Sequence, residues 1–155
     1  MTQDIIDFIA GLDLDGTVLD VGCMDVNGSV RPLFSNYLGV DMREGNGVDI
    51  VASAAHLPFV NDVFDNVLCL EMLEHDATFW LSVPEMIRVL KPGGVLVLTS
   101  PGINFPHHDY PSDYWRFTPE ALASLCDGLD DVQSWQIESE MRAYCVGRKP
   151  GVSSV

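Results

Sequence analysis

The stretch Thr17–Asp41, TVLDVGCMDVNGSVRPLFSNYLGVD, most constrains what this chain can fold into. A short apolar run with β-branched residues predicts a strand over 17–21, and Gly22 begins a loop. Residues 30–34 predict the start of a helix, and a second strand-like run ends at Asp41. A strand–turn–helix–strand unit with a carboxylate about 20 residues beyond its first turn is suited to bind a nucleoside, because the acid accepts hydrogen bonds from ribose hydroxyls.

The rest of the chain continues this alternation of strands and helices. Pro84 predicts a break in a helix over 78–90, with Ser82 and Glu85 capping its second piece, and Thr118 is the predicted cap of a later helix. The pattern favours an α/β fold with a mostly parallel sheet. The remaining predicted elements are a helix at 3–10 against the sheet edge, strands at 48–52, 66–70, 95–99, 132–137 and 141–147, and a helix at 118–126.

Composition and charge exclude several classes of protein. Apolar residues make up 47% of the 155, enough for a packed core in one domain over 1–155, and a formal charge of −15 disfavours nucleic acid or an anionic membrane as a partner. No apolar run approaches the roughly 20 residues of a membrane span, and the first ten residues lack a basic signal-peptide segment. The 4 cysteines lack metal-binding spacing, so we expect a reduced, cytoplasmic protein.

Polar residues follow several of the predicted strands. In a parallel α/β sheet the ligand lies beyond the carboxyl ends of the strands, so these residues are the ones expected to form a site. They occupy positions 20–29, Asp41, 53–56, 71–75 and the loop from residue 100 onward.

Six segments of the chain together resemble one protein family. They are VLDVGC at 18–23, GVD at 39–41, LPF at 57–59, FDNVLCLEMLEH at 64–75, RVLKPGGVLVLTSPG at 88–102 and YPSDYWRFTPEAL at 110–122. In this order and spacing they resemble class I S-adenosylmethionine-dependent methyltransferases. The resemblance implies a Rossmann-like three-layer sandwich with an antiparallel strand near the C-terminus. It also implies S-adenosylmethionine as cofactor, and methyl transfer to an oxygen or nitrogen of a small-molecule or glycan-type acceptor.

The resemblance also implies roles for individual residues. Asp20 matches the acid near the methionine amino group, and Gly22 matches the first glycine of the loop. Asp41 matches the ribose-binding acid, Leu57 an apolar wall under the adenine, and Glu71 a position next to the transferred methyl. The full set of cofactor-binding residues implied in this way is Asp20, Gly22, Cys23, Asp41, Met42, Ser53, Ala54, Leu57 and Glu71.

Two features of the sequence depart from the pattern of the family. Met24 replaces its second glycine, and the third glycine is displaced to Gly28. Ser53 stands where an acid usually contacts the adenine amino group. Because both changes would weaken cofactor binding, a binding module without catalysis is an alternative function.

Catalysis of methyl transfer depends mainly on positioning, with an added base in some enzymes. The candidate catalytic residues are His75, His107 and His108, with Tyr110 and Asp113 as further bases. The alternative is that the two loop histidines are simply exposed. A metal cluster of His107, His108 and Asp109 has no recognised spacing, so we predict no metal site.

A second motif, DLDGTVLD at 13–20, resembles the nucleophile loop of haloacid-dehalogenase-type phosphatases. The lysine and the Gly-Asp metal motif of that family are not found after it, so a phosphatase is the lesser alternative. No inserted cap is visible, and the acceptor pocket is expected to come from residues 103–117, the N-terminal helix or a second subunit. A homodimer is therefore left open.

Overall fold

Seven strands and three helices make up the part of the chain that the computed structural model describes, residues 2–108 and 112–152. The strands are β1 (Val18–Val21), β2 (Tyr37–Asp41), β3 (Ile50–Val51), β4 (Phe64–Leu70), β5 (Leu90–Pro101), β6 (Asp130–Ile137) and β7 (Arg142–Arg148). The helices are α1 (Gln3–Ala10), α2 (Phe79–Val89) and α3 (Pro119–Leu125), and single 3-10 turns cover Arg31–Leu33 and Leu73–His75.

The strands form one sheet in the order β3-β2-β1-β4-β5-β7-β6. The first five strands pair in parallel, whereas β7 is antiparallel to both β5 and β6. The chain begins the sheet with β1 near its centre and extends it to one edge through β2 and β3. It then returns to pair β4 with β1, and β5, β7 and β6 extend the sheet to the other edge. Because the direction of building reverses between β1 and β4, the loops after these two strands diverge and leave a crevice at the carboxyl edge.

Helices cover both faces of this sheet. On one face α1 packs through Ile5 and Ile9 against apolar side chains of β1, β4 and β5. On the other face α2 and α3 pack through Val83, Met86 and Leu122 against the alternate residues of the same strands. The layers confirm the predicted Rossmann-like α/β sandwich, and β7 is the predicted antiparallel strand. The predicted position of α1 at the sheet edge is wrong, because its apolar stripe is buried on the face.

Two helix predictions are also wrong in detail. Residues 30–34 do not start a helix: Arg31–Leu33 is one 3-10 turn, and Phe34 is already extended. Pro84 does not divide α2, which is continuous. A proline here removes one backbone hydrogen bond, but burial of Val83, Met86 and Val89 holds the helix together.

The capping predictions have different outcomes. The hydroxyl of Thr118 accepts a hydrogen bond from the backbone N–H of Ala121 at 3.1 Å, so the predicted cap of α3 is confirmed. The hydroxyl of Ser82 instead donates to Asp76, and no second helix begins there. Across residues 2–108 and 112–152, none of the helices has the length and apolar character needed to span a bilayer.

Candidate functional site

A cleft of about 550 Å³ opens at the carboxyl ends of the parallel strands. Its volume is in the range of small-molecule sites, about 300–1,000 Å³. Its walls come from the loop after β1, the ends of β2 and β3, the segment after β4, and residues of the loop after β5. The position of the cleft is the one that the order of the strands predicts.

The loop after β1 forms the floor of the cleft. Gly22 has φ +83°, and a Cβ added there would lie 2.6 Å from Cβ of Met72. Gly22 and Cys23 both donate their backbone N–H to the carbonyl of Val40, at 2.8 and 3.2 Å. Glycine is therefore required here by the close approach of the segment after β4 as well as by the backbone conformation. No local sequence pattern indicates this contact with Met72.

Asp41 ends β2 and presents its carboxylate to the cleft. Its Oδ2 accepts from the backbone N–H of Met24 at 3.3 Å, and its Oδ1 accepts from that of Arg43 at 3.1 Å. These two bonds fix the carboxylate but leave some of its acceptor capacity unused, since a carboxylate has about four lone-pair sites. The arrangement fits a vicinal diol such as that of a ribose.

Asp20 lies beneath this loop and is 2% exposed. The hydroxyl of Tyr37 donates to its Oδ2 at 2.6 Å, whereas its Oδ1 is buried without a hydrogen-bond partner within the described residues. Burial raises the pKa of Asp20 to about 6, and the bond from Tyr37 opposes this increase. Asp20 is thus a buried carboxyl group with one unused oxygen.

Most of the residues predicted to bind the cofactor line this cleft, and two do not. Asp20 is buried below it, and Leu57 packs into the core beside α2, with its backbone N–H donating to Glu85 at 2.9 Å. The predicted residues that line the cleft are Gly22, Cys23, Asp41, Met42, Ser53, Ala54 and Glu71.

The segment after β4 brings two further carboxylates to the cleft. Glu71 has φ +55°, and its Oε2 lies 3.0 Å from Nε of Arg142. The Glu74 side chain is fully buried and accepts a hydrogen bond from Ser100 Oγ at 3.3 Å. Burial, and then the charge of Glu71, raise the pKa of Glu74 well above its usual value. Glu74 lies within positions 71–75, which are predicted to form a site, although the sequence assigns it no role. No sequence pattern marks Arg142, which comes from β7.

Two of the predicted catalytic histidines meet at the cleft. The rings of His75 and His108 are edge to face, with centroids 5.0 Å apart. His107 is not among the residues that line the cleft. Tyr110, and Asp109 of the rejected metal cluster, lie outside the described residues.

His75 is oriented by a backbone carbonyl, and His108 lies beside a carboxylate. Nδ1 of His75 lies 2.5 Å from the carbonyl oxygen of Ser112, and Nδ1 of His108 lies 3.2 Å from Oδ2 of Asp113. Arg116 holds both oxygens of Asp113, which lowers the pKa of Asp113 well below its usual value. The predicted base Asp113 is therefore an ionised partner of Arg116 and His108.

Both the sequence and the fold of this chain match those of known proteins. Residues 19–98, just over half of the chain, match the methyltransferase-domain family. The chain belongs to the S-adenosylmethionine-dependent methyltransferases of class I fold, whose cofactor is S-adenosylmethionine. The glycine loop and the Asp41 carboxylate of the cleft fit that cofactor.

Individual relatives show how far the likeness extends. A probable pectin methyltransferase of Arabidopsis thaliana is 35% identical over 101 residues, 62% of this chain. The chain spans only 14% of the length of that relative.

Solved structures share the fold at low sequence identity. The [4+2]-cyclase SpnF has a TM-score of 0.76 at 19% identity, over 96% of this chain and 80% of its own. A toxoflavin-precursor N-methyltransferase of Burkholderia thailandensis, solved with S-adenosylhomocysteine, has a TM-score of 0.70 at 18% identity, over 95% and 76%. The first of these names shows that the fold alone does not fix the reaction.

The phosphatase alternative is not supported by the structure. Asp13 and Asp15 precede β1, so they lie at the amino ends of the strands, beside a separate cleft of about 350 Å³. Neither is among the residues that line the larger cleft.

Proposed function

We propose that this chain transfers the methyl group of S-adenosylmethionine to an oxygen or nitrogen of a small-molecule or glycan-type acceptor. The observation that carries the proposal is that one cleft holds both parts that the reaction needs. Asp41 offers a carboxylate suited to a ribose, and acid–base groups are offered by Glu74 and His75 of the segment after β4 and by His108 of the loop after β5.

At the cofactor end, the chain contributes binding and orientation. Asp41 would accept hydrogen bonds from the ribose hydroxyls, and Ser53 and Ala54 would lie beside the adenine. The backbone of Gly22 and Cys23 would lie beside the methionine part of the cofactor, above the Oδ1 of Asp20, which has no hydrogen-bond partner within the described residues. When bound, the cofactor supplies a methyl group on a positively charged sulfur, which an acceptor displaces in line.

At the acceptor end, the two histidines are suited to take a proton. If Nδ1 of His75 donates to the carbonyl of Ser112, its Nε2 retains a lone pair toward the cleft. Nδ1 of His108 lies 3.2 Å from the Asp113 carboxylate, which would stabilise this ring when it takes a proton. His107 remains a predicted catalytic residue, although it does not line the cleft.

The charges of the cleft favour some acceptors over others. Glu71 and Glu74 stand at the acceptor end, and the cation nearest to them, Arg142, is already paired with Glu71. A neutral hydroxyl or an amine would therefore be favoured over an anion. The name of the Arabidopsis relative supports a glycan-type acceptor.

Other parts of the proposal concern the state of the protein. A single domain over 1–155 and a cytoplasmic location are proposed, and the location is supported by 4 cysteines that are free and buried. A homodimer is supported by the apolar surface of Trp80, Leu81, Tyr114 and Trp115 beside the cleft, each of which is exposed.

Calorimetry with S-adenosylhomocysteine tests the cofactor end. Asp41→Ala should weaken binding by about 1.5–3 kcal/mol, roughly 10- to 100-fold, because a charged acceptor is lost. Asp13→Ala, an exposed acid outside the cleft, is the matched control and should bind like the wild type. No binding by the wild type would refute the proposal.

Turnover tests the acceptor end. With radiolabelled S-adenosylmethionine, a panel of glycans and small hydroxyl and amine compounds should show a labelled product. Binding without transfer to any member of the panel would favour the alternative of a binding module without catalysis.

A further inference from the structure

Three side chains at the acceptor end could hold a single metal ion. Glu74, His75 and His108 each offer one ligand atom, and these atoms all lie within 4.8 Å of one another. Oε1 of Glu74 and Nε2 of His75 are 3.6 Å apart. Metal–ligand distances of about 2.0–2.2 Å place ligand atoms roughly 3–4 Å apart, so small side-chain shifts would complete a site.

The group beside His75 is the one expected behind a metal. Ligating histidines usually donate their other ring N–H to a carbonyl or a carboxylate, which fixes the tautomer. His75 has the carbonyl of Ser112 in this position, which leaves its Nε2 as the atom for the ion. The carboxylate of Asp113 lies 3.2 Å from Nδ1 of His108 and accepts a hydrogen bond from the backbone N–H of His108, which holds the loop near His75. Arg116 in turn holds the carboxylate of Asp113.

The burial of Glu74 supplies an independent reason for a cation. Its side chain is fully buried, and its Oε1 has no hydrogen-bond partner among the described residues. Burying a carboxylate without compensation is costly, so such a group needs either a proton or a positive partner. Arg142 pairs with Glu71 and Glu140 instead. A metal ion beside His75 would supply the missing charge.

We propose that Glu74, His75 and His108 bind one divalent transition-metal ion whose remaining coordination positions open into the cleft. Two imidazoles and one carboxylate suit Zn²⁺, Fe²⁺ or Mn²⁺ better than Ca²⁺, which prefers oxygen ligands alone. The prediction of no metal site concerned only the adjacent residues 107–109 of the loop after β5. The ligands come instead from that loop and from the segment after β4.

The ion would also define the acceptor, and this part rests on the proposed function. An open metal position would bind a hydroxyl oxygen and lower its pKa, so the hydroxyl would lose its proton to water and its oxygen would attack the methyl group, with S-adenosylhomocysteine as the leaving group. The histidines would then act as ligands instead of as proton acceptors. A hydroxyl next to a second oxygen donor would chelate the ion. The expected acceptors are therefore neutral vicinal diols.

Zinc binding to the purified chain tests the site without cofactor or acceptor. Calorimetry, with competition by a chromophoric chelator, should show one ion per chain. His75→Ala, His108→Ala and Glu74→Gln should each weaken zinc binding at least tenfold, because each removes one ligand. His56→Ala is the matched control, since His56 is exposed and does not line the cleft.

Several outcomes would overturn the inference. One is wild-type protein that binds no zinc, and another is His75→Ala that binds zinc like the wild type. A loss in His107→Ala equal to that in His108→Ala, with His75→Ala unaffected, would place the ion on the adjacent loop histidines instead.

Binding of S-adenosylhomocysteine by the same variants separates this inference from the proposed function. Variants that lose zinc but keep S-adenosylhomocysteine are folded and support the metal site. Wild-type protein that binds S-adenosylhomocysteine but not zinc would refute the metal site alone. Binding of zinc without S-adenosylhomocysteine would refute the proposed cofactor function and leave the metal site standing.

Discussion

Acidic side chains lie at both ends of the parallel strands, but their surroundings are opposite. At the amino end, Asp65 accepts from Lys91 Nζ at 2.8 Å and from the N–H and hydroxyl of Thr17 at 2.9 and 2.7 Å. These bonds lower the pKa of Asp65 to about 2. At the carboxyl end, Asp20 and Glu74 each have a buried oxygen without a partner in the described residues, and burial raises both pKa values.

The difference separates structural acids from acids available to a ligand. A carboxylate whose oxygens are all engaged gains from ionisation and stabilises the fold. A buried carboxylate with an unused oxygen is a cost that a ligand can offset. The motif at 13–20 resembles a catalytic loop in sequence. The carboxylate of Asp65 beside it, however, already accepts hydrogen bonds from Thr17 and Lys91. Occupancy of the oxygens is therefore more informative than the number of acids.

The largest expected effect is the change in the free energy of unfolding with pH that Asp20 causes. A pKa raised from 3.8 to about 6 means that the folded state retains a proton that the unfolded state has lost. Its contribution to stability is therefore full below pH 4 and is lost as the pH rises through about 6, by at most about 3 kcal/mol. Denaturant unfolding of wild type and Asp20→Asn between pH 4 and 7 measures it. A constant difference between the two proteins would show that Asp20 is not a strained acid.

A glycine at each end of β1 gives the next effect. Gly22 and Gly16 both have positive φ, and an added Cβ would lie 2.6 Å from Cβ of Met72 or 2.9 Å from Cβ of Asp65. Changing either one to alanine should cost about 1–3 kcal/mol of unfolding free energy. Only Gly22→Ala should also weaken binding of S-adenosylhomocysteine, because only that loop lines the cleft.

Gly128→Ala is the control for this pair. Gly128 has φ +86°, and nothing lies within 4 Å of its added Cβ, so it reports the backbone strain alone. If Gly16→Ala lost as much S-adenosylhomocysteine binding as Gly22→Ala, the two ends of β1 would not differ in their contribution to cofactor binding.

The smallest expected effect is that of Asp65→Asn. Asp65 and Lys91 are both more than a third exposed, so solvent screens their pair, and the variant should lose less than about 1 kcal/mol at pH 7. Because the pKa of Asp65 is lowered, its contribution is present above pH 4 and disappears as the pH falls toward 2. Unfolding at pH 7 and near pH 2, at low and high salt, measures both. A cost that persists near pH 2 would show that the ion pair is not its source.

Local sequence patterns predicted most of the fold but only part of the site. Apolar runs located the strands, and Thr118 with Pro119 marked the start of α3. The helix predicted to start at 30–34 and the break predicted at Pro84 are both wrong, because tertiary packing decides short helices as much as propensity does. Arg142 and the contact of Met72 with Gly22 depend on pairing between distant segments. No local pattern records such a pairing.

The short edge strand β3 affects the affinity that the cleft has for a nucleoside. No helix covers residues 42–63 among the described parts of the chain, and β3 contributes Ile50–Val51 alone to the sheet. Bonds within loops and to β2, such as Ala52 N–H to the carbonyl of Asp41 at 2.9 Å, hold this wall of the cleft. Segments with few backbone bonds open at low free energy. A nucleoside bound against Ser53 and Ala54 would therefore also restrict the motion of this wall, and its measured affinity would include the entropy of that ordering.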